Sequence, residues 1–133
     1  MRILSHPARL AFAALILFAT AGVASAHHGW AWTSEDEWFE LSGTLTEIYI
    51  GQPHATLAID AEGTLWMVDL APLSGTLASG FDEDAASVGE NVTVIGHRAE
   101  DPDWPAMKAV RVIVPSGTYD VYPAFAAEYD AAA

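Results

Sequence analysis

The amino-acid sequence predicts an all-β domain: a small five- to six-stranded barrel with one short helix between strands 3 and 4, preceded by a removable leader. Three observations point there. Apolar and polar residues alternate in short runs between residues 43 and 114, and turns bearing glycine or proline separate the runs. Only the stretch after Pro72 carries helical spacing.

Gly43 to Ile50 alternates, with Leu45, Ile48 and Ile50 among Thr and Glu, until Gly51-Gln52-Pro53 breaks the run as a turn. His54 to Asp60 alternates again, Ala61-Glu62-Gly63 turns, and Leu65 to Leu70 is a third β-rich run, so these three form a meander. Leu73, Leu77 and Phe81 then stand near helical spacing and predict one short helix, which Gly75 and Gly80 weaken. Asn91 to His97 is the fourth strand, Met107 to Val114 the fifth and Thr118 to Tyr122 a sixth. Three strands, a short helix and two more strands is the element order of the oligonucleotide/oligosaccharide-binding (OB) barrel. A small β-sandwich is the competing arrangement.

The barrel is expected to occupy residues 43–123. Residues 27–42, rich in tryptophan and acid without a clear period, read as an N-terminal arm over the domain, with Trp30 and Trp32 as its packing handles. The Ala-rich stretch 124–133 reads as a flexible tail. Residues 1–26 read as a signal peptide: Arg2 and Arg9 make a positive n-region, Leu10 to Phe18 is unbroken and apolar, and small residues lead to Ala24-Ser25-Ala26. The apolar run is far shorter than the ~20 residues a spanning helix needs, so the leader is a removed signal and not an anchor. Ala19-Thr20-Ala21 is a second cleavage site and would start the chain at Gly22.

The chain is strongly acidic, with a formal charge of −13 that becomes −15 once the two leader arginines are removed. Such a surface repels phosphate backbones and anionic lipid, so nucleic acid is not an expected partner, and neither is stable membrane insertion after the leader is cut. Cations are favoured. There is no cysteine, which excludes thiolate metal chemistry and disulfide staples and leaves nitrogen, oxygen or thioether as metal ligands.

Four segments, Ala26-His27-His28-Gly29-Trp30, Gly51-Gln52-Pro53-His54, Gly89 to His97, and Thr118-Tyr119-Asp120-Val121-Tyr122-Pro123, span nearly all of the mature chain. Together they resemble a domain-of-unknown-function family of small exported bacterial proteins. The chain departs from that pattern at Gln52, where asparagine is expected, and in a helix segment richer in acid and glycine. The resemblance implies a grouping and no activity.

Cleavage after Ala26 would make His27 the first residue, offering a metal both its α-amine and its ring Nδ1. Imidazole nitrogen suits Cu(II), Zn(II) and Ni(II), and copper binds a given nitrogen site most tightly. The expectation is therefore a brace-like Cu(II) site, with zinc as the alternative ion: His27 supplies two nitrogens, His54 a third, and His97 a fourth or a supporting contact. This resembles copper-dependent polysaccharide monooxygenases and some periplasmic copper carriers in its chelating logic alone. His28 offers another route, through the terminal amine, a deprotonated backbone amide and its own ring. Such sites release metal as pH falls through the ordinary imidazole and α-amine ranges, because protons compete for the same lone pairs. In the blander reading His54 hydrogen-bonds its turn and His97 is solvated at a strand end.

The implied role is a periplasmic or secreted metal carrier or buffer that meets a membrane or periplasmic copper-handling protein. Other catalysis lacks a nucleophile elbow, phosphate loop or H-E-x-x-H motif, and an oxidative copper enzyme, conceivable because a brace leaves coordination positions open, ranks below a carrier for want of a substrate platform. The competing class is an OB-like envelope module that holds a glycan or protein through Trp104 or Tyr119. Met107 reads as packing, the acidic runs at 35–37, 82–84 and 100–103 as solvated faces, and Tyr119 and Tyr122 as lid residues.

Overall fold

The computed structural model describes residues 29–133; the expected leader, His27 and His28 lie outside the described residues. Six strands and two helices follow in the order β1 (Phe39–Tyr49), β2 (His54–Ala61), β3 (Thr64–Pro72), α1 (Leu73–Ala78), β4 (Asn91–Arg98), β5 (Ala106–Val114), β6 (Gly117–Asp120) and α2 (Pro123–Ala132). β1 pairs antiparallel with β2 and β4, β2 with β3, and β4 with β5. A short parallel pairing of β3 with β5, Met67↔Ala106 to Asp69↔Lys108, closes the ring. The result is a closed five-stranded OB-like barrel with β6 added along the second half of β5.

The alternation read in the sequence is what fills this barrel. Leu41 and Leu45 of β1, Ala55, Leu57 and Ile59 of β2, Val68 and Leu70 of β3, Val92 and Val94 of β4, and Met107, Ala109 and Val112 of β5 form one buried cluster. Phe81, fully buried, enters it from the segment after α1 and meets Tyr119 edge-on at 5.3 Å. Burying a side chain of that size stabilises the fold by roughly 1.5–3 kcal/mol. Met107 is core, as expected, and the half-buried Tyr119 packs against the same cluster.

Two expectations are corrected. The 124–133 segment is not a flexible tail but helix α2, started by Pro123 in its first turn, where a missing N–H costs nothing. Its composition, PAFAAEYDAA, favours a helix because alanine is the best helix former, and Arg111 of β5 ties it down by pairing with Asp130 at 2.7 Å while also gripping Asp120 at 2.6 Å. The arm is also shorter than residues 27–42. β1 starts at Phe39, because Phe39 to Thr44 pair continuously with β4 from Gly96 to Asn91.

Candidate functional site

Residues paired directly across neighbouring strands project to the same side of a sheet, and the side alternates along each strand. Thr56 of β2 pairs with Asp69 of β3, Asp69 with Lys108 of β5, and Lys108 with His97 of β4. Their neighbours Leu57, Val68 and Met107 fill the core, so Thr56, Asp69, Lys108 and His97 form a row across the barrel's outer face. His54, separated from Thr56 only by the buried Ala55, lies on that face at the start of β2.

The row is covered by the arm. Lys108, only 3% exposed, sends its ammonium outward, donates from Nζ to the Gly29 carbonyl at 2.7 Å, and lies 4.7 Å from the Trp30 ring centroid and 5.6 Å from that of Tyr122. Burial pushes the Lys108 ammonium below its usual range, and the Asp69 carboxylate opposes that shift. Farther along, the arm runs beside the end of β4: Ser34 N–H donates to the Arg98 carbonyl at 2.9 Å, and Glu100 N–H donates to the Trp32 carbonyl at 3.0 Å. Trp30 and Trp32 are packing handles as expected, Trp30 against His97, Tyr122 and Phe125 and Trp32 against Trp104.

His97 is buried, at 5% exposure, and not solvated at a strand end. Its Nδ1 lies 2.8 Å from the Glu37 carbonyl. A carbonyl can only accept, so Nδ1 carries a proton and donates it to Glu37. Trp38 lies against the ring at 4.5 Å and 31°, and Trp30 meets it edge-on at 5.8 Å. Above His97 the arm and α2 enclose a cavity of about 400 Å³ lined by Trp30, Glu35, Trp38, His97, Phe125 and Glu128.

His54 behaves differently. Its Nδ1 is buried and has no hydrogen-bond partner among the described residues, so the turn-bonded reading of this histidine does not hold. Along the sheet it is separated from His97 by the steps His54↔Pro72, three residues of β3, Asp69↔Lys108 and Lys108↔His97. Among the described residues no three histidine or carboxylate side chains gather into a group able to hold a metal. The structure thus sets His97 beneath the arm and leaves the His54 Nδ1 without a partner among the described residues. The sequence reading missed Lys108, Asp69 and the α2 residues Phe125 and Glu128. A lone lysine inside the nine-residue run AMKAVRVIV was the available signal for the first, since a charged residue there needs a cover. The acidic runs at 35–37, 82–84 and 100–103 are exposed as expected.

Residues 14–106 match a family of unknown function, DUF6152. The chain belongs to this family. The match reaches the first residue of β5, so most of β5, all of β6 and α2 extend beyond it. No curated protein matches the chain. Among solved structures the S. pombe Stn1–Ten1 complex is similar at 18% identity and a TM-score of 0.48, over 58% of this chain and 57% of that one. The likeness therefore spans little more than half of either chain.

Proposed function

We propose that the protein is an exported, periplasmic or secreted Cu(II) carrier or buffer. In this reading, cleavage after Ala26 frees the α-amine of His27, and that amine, the His27 Nδ1 and the Nδ1 of His54 hold the metal. The observation that carries it is the buried Nδ1 of His54, which has no hydrogen-bond partner among the described residues. An unsatisfied buried nitrogen costs about 1–3 kcal/mol, a cost that a coordinated metal removes. Lys108 fixes Gly29 on the same outer face, and a span of two residues can reach at most about 7 Å, which bounds the distance from Gly29 to His27. That reach plus two side chains covers the roughly 12 Å of sheet between Lys108 and His54. His97 is assigned to the arm, because its Nδ1 is already bonded to Glu37. With no catalytic constellation beside it, such a site stores or passes on metal, to a periplasmic or membrane copper-handling protein.

The test is a Cu(II) competition titration of the exported protein after intact-mass analysis fixes its first residue. His54→Ala, and separately one alanine inserted ahead of His27, should each lower affinity at least about tenfold, the scale on which metal sites respond to lost contacts. Unchanged affinity in His54→Ala, or a chain that starts at Gly22, overturns the proposal. The first result would leave the metal to the amine, a backbone amide and His28.

The exposed Trp104, whose ring lies tilted against Trp32 at 4.9 Å, favours a second reading, an OB-like envelope module for a glycan or protein. Under that reading Trp104→Ala weakens ligand binding and His54→Ala leaves it unchanged.

A further inference from the structure

The cavity between the arm and α2 has a composition that the copper reading does not use. Glu35 and Trp38 of the arm and Phe125 and Glu128 of α2 line the same space, so each segment presents one ring and one carboxylate to it. Trp30 and His97 complete the lining. No lysine or arginine lines it, although Lys108 lies just behind Trp30. We propose that this cavity is a binding site for a small alkylated ammonium ion, a quaternary amine of the choline or betaine type, held by the Trp38 and Phe125 rings and by the carboxylates of Glu35 and Glu128.

Three features select that chemistry. Indole and phenyl faces attract cations through the ring quadrupole, most strongly where water is excluded. The chain already uses its aromatic rings this way, with Lys108 over Trp30 and Tyr122, Arg98 over Phe39 and Trp66, and Arg111 over Tyr129. Among the described residues Trp38 and Phe125 carry no such cation, although each also packs against aromatic neighbours, Trp38 against His97 and Tyr129 and Phe125 against Trp30 and Tyr122. The second feature is charge, because among the described residues the lining carries two carboxylates and no lysine or arginine, and the protein as a whole is acidic. The third is size and hydration. A cavity of about 400 Å³ lies at the small end of ligand sites, and a wall this aromatic offers few acceptors to replace the water around a primary ammonium, whereas an N-alkylated cation is weakly hydrated.

His97 matters to this site through its orientation. Donation from Nδ1 to the Glu37 carbonyl holds the ring against Trp38. The site stands apart from the proposed metal ligands, because neither His27 nor His54 is in its lining.

Titration of the metal-free protein with choline and with tetramethylammonium, followed by tryptophan fluorescence and calorimetry, tests the proposal. The neutral isostere of choline, 3,3-dimethylbutan-1-ol, is the control. Saturable binding of both cations, at least about tenfold tighter than that of the alcohol, is expected. Glu128→Gln, an exposed and conservative change, should weaken cation binding several-fold without altering thermal stability, and Phe125→Leu should weaken it while keeping the apolar volume. His54→Ala should leave it unchanged, which separates this site from the copper proposal. Absence of saturable binding, equal affinity for choline and the alcohol, or full affinity in both Glu128→Gln and Phe125→Leu overturns it.

Discussion

Replacing Lys108 by methionine should detach the arm while leaving the barrel standing. The Lys108 Nζ donates to the Gly29 carbonyl at 2.7 Å and lies 4.7 Å from the Trp30 ring, and both contacts belong to the docked arm. A hydrogen bond from a charged donor contributes about 1.5–3 kcal/mol and a desolvated cation–π contact about 2 kcal/mol more. Against these stands the desolvation of the ammonium, visible in its lowered pKa and costing several kcal/mol. Methionine keeps the apolar stem and removes both the contacts and the desolvation, so global stability should change by no more than about 1 kcal/mol. The docked arm, however, loses its principal tether. A loss of about 1.5 kcal/mol at the arm alone means at least about a tenfold fall in hydrogen-exchange protection of the Thr33 amide, which donates to the Trp30 carbonyl at 2.8 Å. Exchange measured by NMR decides the matter. Unchanged protection at Thr33, or unfolding of the whole barrel with the arm, would refute the reasoning. The same burial has a pH signature. Because the folded state lowers the Lys108 pKa, the unfolded chain binds that proton more tightly, and stability rises with pH from the folded value towards the usual 10.5. Tyr122, whose pKa burial raises above 10.0, reverses the trend at the alkaline end. Lys108→Met should abolish the rise and keep the reversal.

Arg111 holds the Asp130 carboxyl below the usual carboxylate range, so this pair's contribution to docking α2 is present above about pH 4 and is lost as pH falls through the depressed value. Exchange protection of α2 should therefore drop in acid, and Asp130→Asn should show that drop already at neutral pH; identical pH profiles in the two proteins would count against the role. Gly96→Ala drives a new Cβ into the Lys108 backbone carbonyl of β5 and should cost about 3 kcal/mol in denaturant unfolding; a change below about 1 kcal/mol would show that the strands can part there. Phe81→Ala empties the centre of a fully buried contact and should cost about 3–5 kcal/mol by the same assay, with a much smaller loss ruling out its role as core.

Much of this fold is legible in the sequence, because alternation at period two has one physical meaning when the inner face is apolar. Leu57 and Ile59, or Val92 and Val94, announce their strands and their side, and the run of five strands with one helical turn announces the closed ring. What stays hidden is whatever depends on tertiary partners. Residues 39–42 look like the end of an irregular arm until the β4 residues Thr93 to Gly96 pair with them. The last ten residues look frayed by their position, yet alanine propensity, Pro123 in the first turn and an arginine thirteen residues upstream of Phe125's neighbour Ala124 make them a docked helix. At the candidate site, His54 and His97 were both visible as histidines at strand ends. Their opposite fates, one with a buried nitrogen lacking a partner among the described residues and one locked beneath Trp30 and Trp38, arise from bulges and cross-strand register that no local pattern encodes. Lys108 was overlooked because a lysine in a strand normally faces water, and here the arm covers it.

The most direct measurement is pulsed electron paramagnetic resonance of the exported protein loaded with one equivalent of Cu(II), which counts coordinated imidazoles through their remote nitrogens. The account predicts two imidazoles in the native protein and one in His54→Ala. A single imidazole in both proteins, with spectra that do not change when His54 is removed, would contradict it.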